Sequence, residues 1–318
     1  MNSTRRTFEL ELTESLQPRT MYTLSLEGIR DCNGNPMAPM KWTVGLPEPA
    51  DSLDIVLSEI LFNPRSGGVD FVEIYNRSDK FIALDRWAIS NGEKESPLSG
   101  VSLAPHQLLA LTSDPEIVTA QYPGPGVYHR TDLPSFADEE GSVWLTDSSG
   151  RAMDRLHYDK DWHSVFLDSD EGVSLERIDY LRPTESRDNW TSASSSSGFA
   201  TPGRGNSQQR GSQATRSGIV VEPEIFVPEN AAAGFTQIYY QFEQPGAVAN
   251  VWIYDSQGRP VKELASNTLL GREGFLRWDG DRTDGAQAAP GYYVLWFEKF
   301  DSGGQTETFR KRIVIGWP

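Results

Sequence analysis

Residues 70–90 read DFVEIYNRSDKFIALDRWAIS, and their alternation decides the fold class. Phe71, Glu73 and Tyr75 fall on one side of an extended chain and Val72 and Ile74 on the other, because successive side chains of a strand point to opposite faces. Two further short runs, Ile82 to Leu84 and Trp87 to Ser90, follow at once. The same rhythm continues outward. Upstream, Ile55 to Phe62 runs into the turn Asn63-Pro64; downstream come Leu108 to Thr112, Ser142 to Leu145, Asp154 to Tyr158 and Val173 to Ile178. Strands of this length and spacing predict an antiparallel sandwich. One short helix is expected, Asp114 to Tyr122, with Asp114 as cap and Pro115 in its first turn.

The totals agree. Apolar residues make up 37% of the chain and aromatics 11%, with 28 Gly and 20 Pro, which suits many strands joined by turns. A length of 318 residues implies two to three domains. The formal net charge of -16 repels phosphate backbones and anionic lipid, so nucleic acid is excluded as a first expectation. With Cys32 the only cysteine, no intramolecular disulfide is available. No stretch reaches the roughly 18 to 20 apolar residues that span a bilayer. Phe8 to Leu12 alternates as a strand does, unlike a signal-peptide core, so any export signal is expected outside this sequence.

Along the chain, residues 1–46 supply strands at 7–12, Tyr22 to Leu26 and Trp42 to Val44, too few to close a sandwich, with a tight turn at Asp31 to Asn35. LQPRTMYTLSLEGIRDCNGNPM there resembles the closing half of a bacterial Ig-like domain, whose remaining strands are expected upstream. Residues 47–52 form a Pro-stiffened linker. Residues 53–206 resemble the bacterial lamin tail domain: VLSEILFNP opens the match, Glu73 and Asn76 stand in its (W/F)-x-E-(L/I)-x-N strand, Leu84 and Trp87 in its L-x-x-W turn, and EGVSLERID and NWTSASSSSGFATPGRGNS close it. The resemblance implies an Ig-like sandwich that serves exported and surface proteins as a binding or spacing module. Residues 207–218, rich in Gly, Ser, Gln and Arg, read as a flexible linker.

Residues 219–318 predict six strands with turns at Asp255 to Gly258 and Ser302 to Gly304. The run from Val251 to Glu298 resembles the Ig-like module of flagellar hook-capping proteins. It is also similar to the C-terminal sorting domains of type IX secretion in the Bacteroidetes, through Ile253 to Gly258, Trp278 to Gly280, Gly291 to Tyr293 and the basic strand Arg310 to Ile315. The usual opening motif is replaced by Val227-Pro228-Glu229-Asn230. The expected fold is therefore all-β: tandem Ig-like antiparallel β-sandwiches.

Chemistry is scarce. His106, His129, His157 and His163 form no ligand set by spacing, no Gly-x-Ser-x-Gly occurs, and no Gly-rich phosphate loop precedes a helix. The loops carrying Asp279, Asp281 and Asp284, and Asp168 and Asp170, depart from the calcium-loop pattern and are expected to bind calcium weakly at most. No cofactor and no catalytic residue are expected. Trp252 and Trp296 are expected in the core; Trp190 and Trp162 are the candidates for contact with a partner.

The leading expectation is a non-catalytic structural, adhesive or protein-interaction module at the extracellular or outer-membrane surface of a bacterium. Other surface proteins and the type IX machinery would be its partners, with no membrane span of its own. Two alternatives stand beside it: the accessory C-terminal region of a large exported hydrolase, and a partner subunit of an outer-membrane export or surface assembly.

Overall fold

The computed structural model describes residues 10–31, 33–209, 218–228, 234–301 and 303–317. The expected strand at 7–12 falls partly outside these residues, and Leu10 to Leu12 are not in a strand. Cys32, Glu229, Asn230 and Ser302 also lie outside them.

Near the start, Tyr22–Leu26 and Met40–Val44 pair as an antiparallel hairpin. Two packed sheets follow. The larger has six strands in the order Tyr128–Arg130, Leu108–Thr112, Phe71–Asn76, Ile55–Leu61, Leu175–Arg177, Trp190–Ser192. The smaller has four: Ala152–Asp159, Glu140–Thr146, Ala88–Ser90, Glu95–Pro97. Between them lies one core built from Ile55, Leu57, Val72, Ile74, Leu111, Val143, Leu156 and their neighbours. The larger sheet is buried on its other face as well. There Leu61 and Phe71 pack on Val118 of the helix Pro115–Gln121, on its C-cap Tyr122, and on Ala200. The helix is capped as expected, Asp114 accepting from the amides of Glu116 and Ile117.

A bulge sets which side chains reach this second face. Leu57 pairs with Ile74 but Glu59 pairs with Glu73, so Ser58 is the extra residue. The inward positions accordingly step from Ile55 and Leu57 to Ile60 and Phe62, while Glu59 and Leu61 turn away from the main core.

The C-terminal sandwich packs a three-stranded sheet, Gly218–Glu222, Thr236–Gln241 and Glu273–Trp278, on a five-stranded one. The five-stranded order is Ile225–Phe226, Thr306–Ile315, Gly291–Phe300, Val248–Asp255, Pro260–Leu269. Trp278, Phe242, Phe297 and Ile253 fill its core. Trp252 and Trp296 do not. Alternation sends Val251, Ile253, Leu295 and Phe297 inward, so the two tryptophans, direct cross-strand partners, sit half-buried on the outer face with Arg310 stacked 4.3 Å over Trp296.

Four hairpins among the described residues share one turn. Asp31, Asp147, Asp255 and Asp301 each accept, through Oδ1, from the amides two and four residues on. The residue three positions on is Gly in the left-handed region, with φ of 86, 80, 79 and 79°. Only Gly takes that conformation without strain. A share of the acidic composition is thus local turn chemistry: bonding to Ser149 and the backbone holds Asp147 down at about 2.

Candidate functional site

The polar cluster that stands out lies under residues 200–208. Glu59, Glu73 and Glu176 occupy three adjacent strands, Glu59 being the direct cross-strand partner of both others, and all three are fully buried. No Lys, Arg or His pairs with them among the described residues. Their partners come from the strap that crosses the sheet. Thr201 N–H donates to Glu59 Oε1 at 2.8 Å, Gly203 N–H to Glu73 Oε2 at 2.7 Å, and Gln208 N–H to Glu176 Oε2 at 2.9 Å. Hydroxyls complete the set: Ser174 on Glu59, Ser58 on Glu73, Ser207 on Glu176. Asn206 Nδ2 donates to the carbonyls of Ser58 and Arg177 at 2.9 and 3.0 Å. Gly203 is required where it stands, at φ 73°, since a Cβ would lie 2.3 Å from the backbone nitrogen of Val127.

Burial without a cation disfavours charge. Desolvation raises Glu59 to about 8, and raises Glu73 and Glu176 as well. The hydroxyl of Thr201 shows the consequence. It lies 2.7 Å from Glu176 Oε1 and 3.2 Å from Glu59 Oε2, and it has one proton to give. With that proton on Glu176, the bond to Glu59 forms only if Glu59 Oε2 carries a proton of its own and donates it.

The bulge is secured from the opposite face. Leu57 N–H donates to Asp154 Oδ2 at 2.8 Å, and Arg177 Nη1 donates to Leu57 O at 2.9 Å and to Asp154 at 3.4 Å. The ion pair is buried at both ends. It supplies the partners that an extra residue takes away from the ladder.

The strap also carries the contact between the two sandwiches. Gln208 Nε2 donates to Leu270 O and to Ser192 O, Gly246 N–H to Gln208 Oε1, Arg272 N–H to Ser207 O and Arg272 Nη1 to Gln209 O, at 2.9–3.1 Å. Residues 207–209 of the expected flexible linker are therefore ordered, and Gln208 is fully buried; residues 210–217 lie outside the described set. Their composition hid this, because polar side chains here bond backbone groups of two domains.

The other expected positions are placed as follows. Trp190 is no surface residue: it is 1% exposed, with Nε1–H donating to Thr184 O at 2.7 Å. It lies in a strand at the edge of the larger sheet, which the charged loop before it masked in the sequence. Trp162 is half-buried against the main core, with Arg187 5.8 Å over its ring. Asp279 binds Arg277, Asp281 binds Lys262, Asp284 accepts from Ala286 N–H, and Asp170 approaches Asn63. Asp168 is exposed. Among the described residues no three His, Cys, Asp or Glu side chains converge as metal ligands. His163 is buried, bonds Ser192 Oγ at 2.9 Å, and is driven down to about 4 by desolvation.

The larger sheet, packed face to face on the smaller one, defines an Ig-like antiparallel β-sandwich. The family model described as Lamin Tail Domain matches residues 48–160, about a third of the chain. No curated protein matches. Among solved structures, the chain is similar to FlgD from P. aeruginosa at 19% identity, covering 30% of this chain and 71% of that one, with a TM-score of 0.23. It is similar to dimeric latent PorU from Porphyromonas gingivalis at 12% identity, covering 88% of this chain and 23% of PorU, TM-score 0.26. For PorZ from the same organism, a surface component of the type IX secretion system, the figures are 12%, 90%, 41% and 0.23. The chain thus spans less than half the length of either Por protein.

Proposed function

We propose that this chain is a non-catalytic interaction module of an exported bacterial surface protein, its C-terminal sandwich serving type IX export and its partners being surface or outer-membrane proteins. The observation that carries the reading is the solvent side of that sandwich. Val220, Tyr239 and Phe275 are exposed and stand side by side across one sheet; on the outer face of the other, the half-buried cross-strand pair Trp252 and Trp296 continues into exposed Val294 and Tyr292 along the strand. An outer face of an antiparallel sheet is ordinarily polar, and contiguous exposed apolar surface marks a contact site. The buried carboxylates meanwhile are engaged with the strap, out of reach of a substrate.

The test expresses the whole chain behind an export signal and a fluorescent passenger, in a bacterium that has type IX secretion. The passenger should reach the cell surface, become sensitive to external protease, and be retained inside when Trp252, Tyr292 and Trp296 are replaced by Ala. Retention of the unmodified chain would overturn the export reading. Turnover of any substrate by the purified protein would overturn the non-catalytic one.

A further inference from the structure

We propose that Glu59, Thr201 and Glu176 form a proton-operated latch: with a proton on Glu59 the strap is held and the two sandwiches dock, and release of that proton to solvent frees the strap and loosens the C-terminal sandwich.

A hydroxyl lying between two carboxyl oxygens can donate to one only. The chain Glu59 Oε2–H to Thr201 Oγ1, and Thr201 Oγ1–H to Glu176 Oε1, satisfies every group with one added proton. Remove the proton, and Glu59 Oε2 faces the lone pairs of Thr201 inside a fully buried site, beside two further carboxyls. Among the described residues no cation pairs with these carboxyls to relieve that. From the helix side the neighbour is Tyr122, whose hydroxyl is donated to Gly172 O. Tyr180 bonds Ser58. Arg65 is engaged with the carbonyls of Gln121 and Gly198, and Arg204 of the strap with those of Ser197 and Ala200. Arg177 and Asp154 serve the opposite face of the sheet.

The strap has two attachments in series. Thr201, Gly203 and Gln208 hold it to the carboxyl groups, and Ser207, Gln208 and Gln209 hold the C-terminal sandwich to it. Loss of the first set therefore weakens the second. Among the described residues, hydrogen bonds that bypass the strap include Ser195 Oγ donating to Leu269 O, and Ser196 Oγ lies 3.3 Å from the Tyr240 hydroxyl.

The sign follows from linkage. A carboxyl whose pKa is raised when closed favours the closed form at low pH, and that preference fades as pH rises toward the closed-form value, about 8 for Glu59. Glu59 alone should raise the opening constant about tenfold per pH unit between roughly pH 5 and that value, its share levelling off beyond it.

Amide hydrogen exchange of the 200–209 segment in the whole chain, corrected for the intrinsic pH dependence of exchange, measures that constant. The wild type should show the rise. Glu59→Gln, whose amide donates to Thr201 without titrating, should rise less steeply, keeping only what Glu73 and Glu176 supply; Thr201→Ser should keep the wild-type slope and Thr201→Val should lessen it. A flat wild-type profile, or a Glu59→Gln profile with the wild-type slope, overturns the latch. If Glu59→Gln does not fold, the Thr201 pair decides: equal slopes in Ser and Val overturn it. Spin labels at Leu181 and Glu273, across the cleft between the sandwiches, give the second readout in a Cys32→Ser background. Their distance distribution should be narrow near pH 6 and broad near pH 9, on either side of the closed-form value of about 8; a distribution equally narrow at both overturns the coupling to docking.

Discussion

Replacing Asp154 by Ala should cost this protein far more than one surface ion pair would. The carboxylate accepts from Leu57 N–H at 2.8 Å and from Arg155 N–H at 2.9 Å, and it pairs with Arg177. Its loss leaves a guanidinium buried without its counter-charge, an event that costs about 3–5 kcal/mol, and a buried amide without an acceptor, about 1–3 kcal/mol more. These terms share one site and do not add, so the expected loss is about 4 kcal/mol. The informative variant is the double one. Exchanging a buried ion pair for apolar residues of similar volume is often neutral. Here Arg177→Met with Asp154→Leu still strands both the N–H and the C=O of Leu57, because the pair serves the bulge backbone at both ends. It should remain about 2–4 kcal/mol below wild type at two unsatisfied groups. Urea unfolding, followed through the sandwich's buried Trp190, measures both variants. A double variant as stable as wild type, or an Asp154→Ala loss under about 1 kcal/mol, would refute the role given to the pair.

Global stability should fall as pH rises from about 5 to about 8.5. The raised pKa values of Glu59, Glu73 and Glu176 give stability that is complete below the unfolded value near 4.5 and lost on approach to the folded one. The depressed His163 and His129 act oppositely, the share of His163 being lost as pH falls from about 6.5 toward 4, but they are two groups against three. Urea midpoints that are equal or higher at the alkaline end would contradict this. Trp190→Ala should destabilise the sandwich by about 3–5 kcal/mol, the range for emptying a large buried aromatic site, and a change under about 1 kcal/mol would return Trp190 to the surface. Millimolar calcium should leave the melting temperature unchanged, since Asp279 and Asp281 are engaged with Arg277 and Lys262; a clear upward shift would show a site the protein reorganises to build.

The strands were legible because alternation and turn residues act locally. Tyr22–Leu26, Leu108–Thr112 and Gly291–Phe300 fall where the pattern puts them. The short strands Glu95–Pro97, Ser102–Leu103 and Ile225–Phe226 carry too few residues for a period to show. Trp252 and Trp296 were misplaced by residue type, although the parity of Val251, Ile253, Leu295 and Phe297 already puts them outside. The carboxyl cluster had a faint signal: in IVLSEIL the apolar spacing jumps from Ile55 and Leu57 to Ile60, which is a bulge, and a Glu beside it between buried neighbours must find a partner. That the partner is Thr201, 142 residues away, is a fact of topology that no local pattern carries.

The same distances bear on what makes the domain a unit. The family match supplies Glu59 and Glu73 but stops at residue 160, before Glu176, the edge strand of Trp190 and the strap. Residues 48–160 alone would therefore expose one edge of Ile55–Leu61 and leave two carboxyl groups uncovered on a face otherwise built from Leu61 and Phe71. Closure of the sheet waits on the last residues of the sandwich, and those residues also grip Leu270 and Arg272 of the next one. Completion of the first sandwich and docking of the second accordingly meet at the strap, and a chain cut after residue 160 should fail at the first step, not merely lose the second.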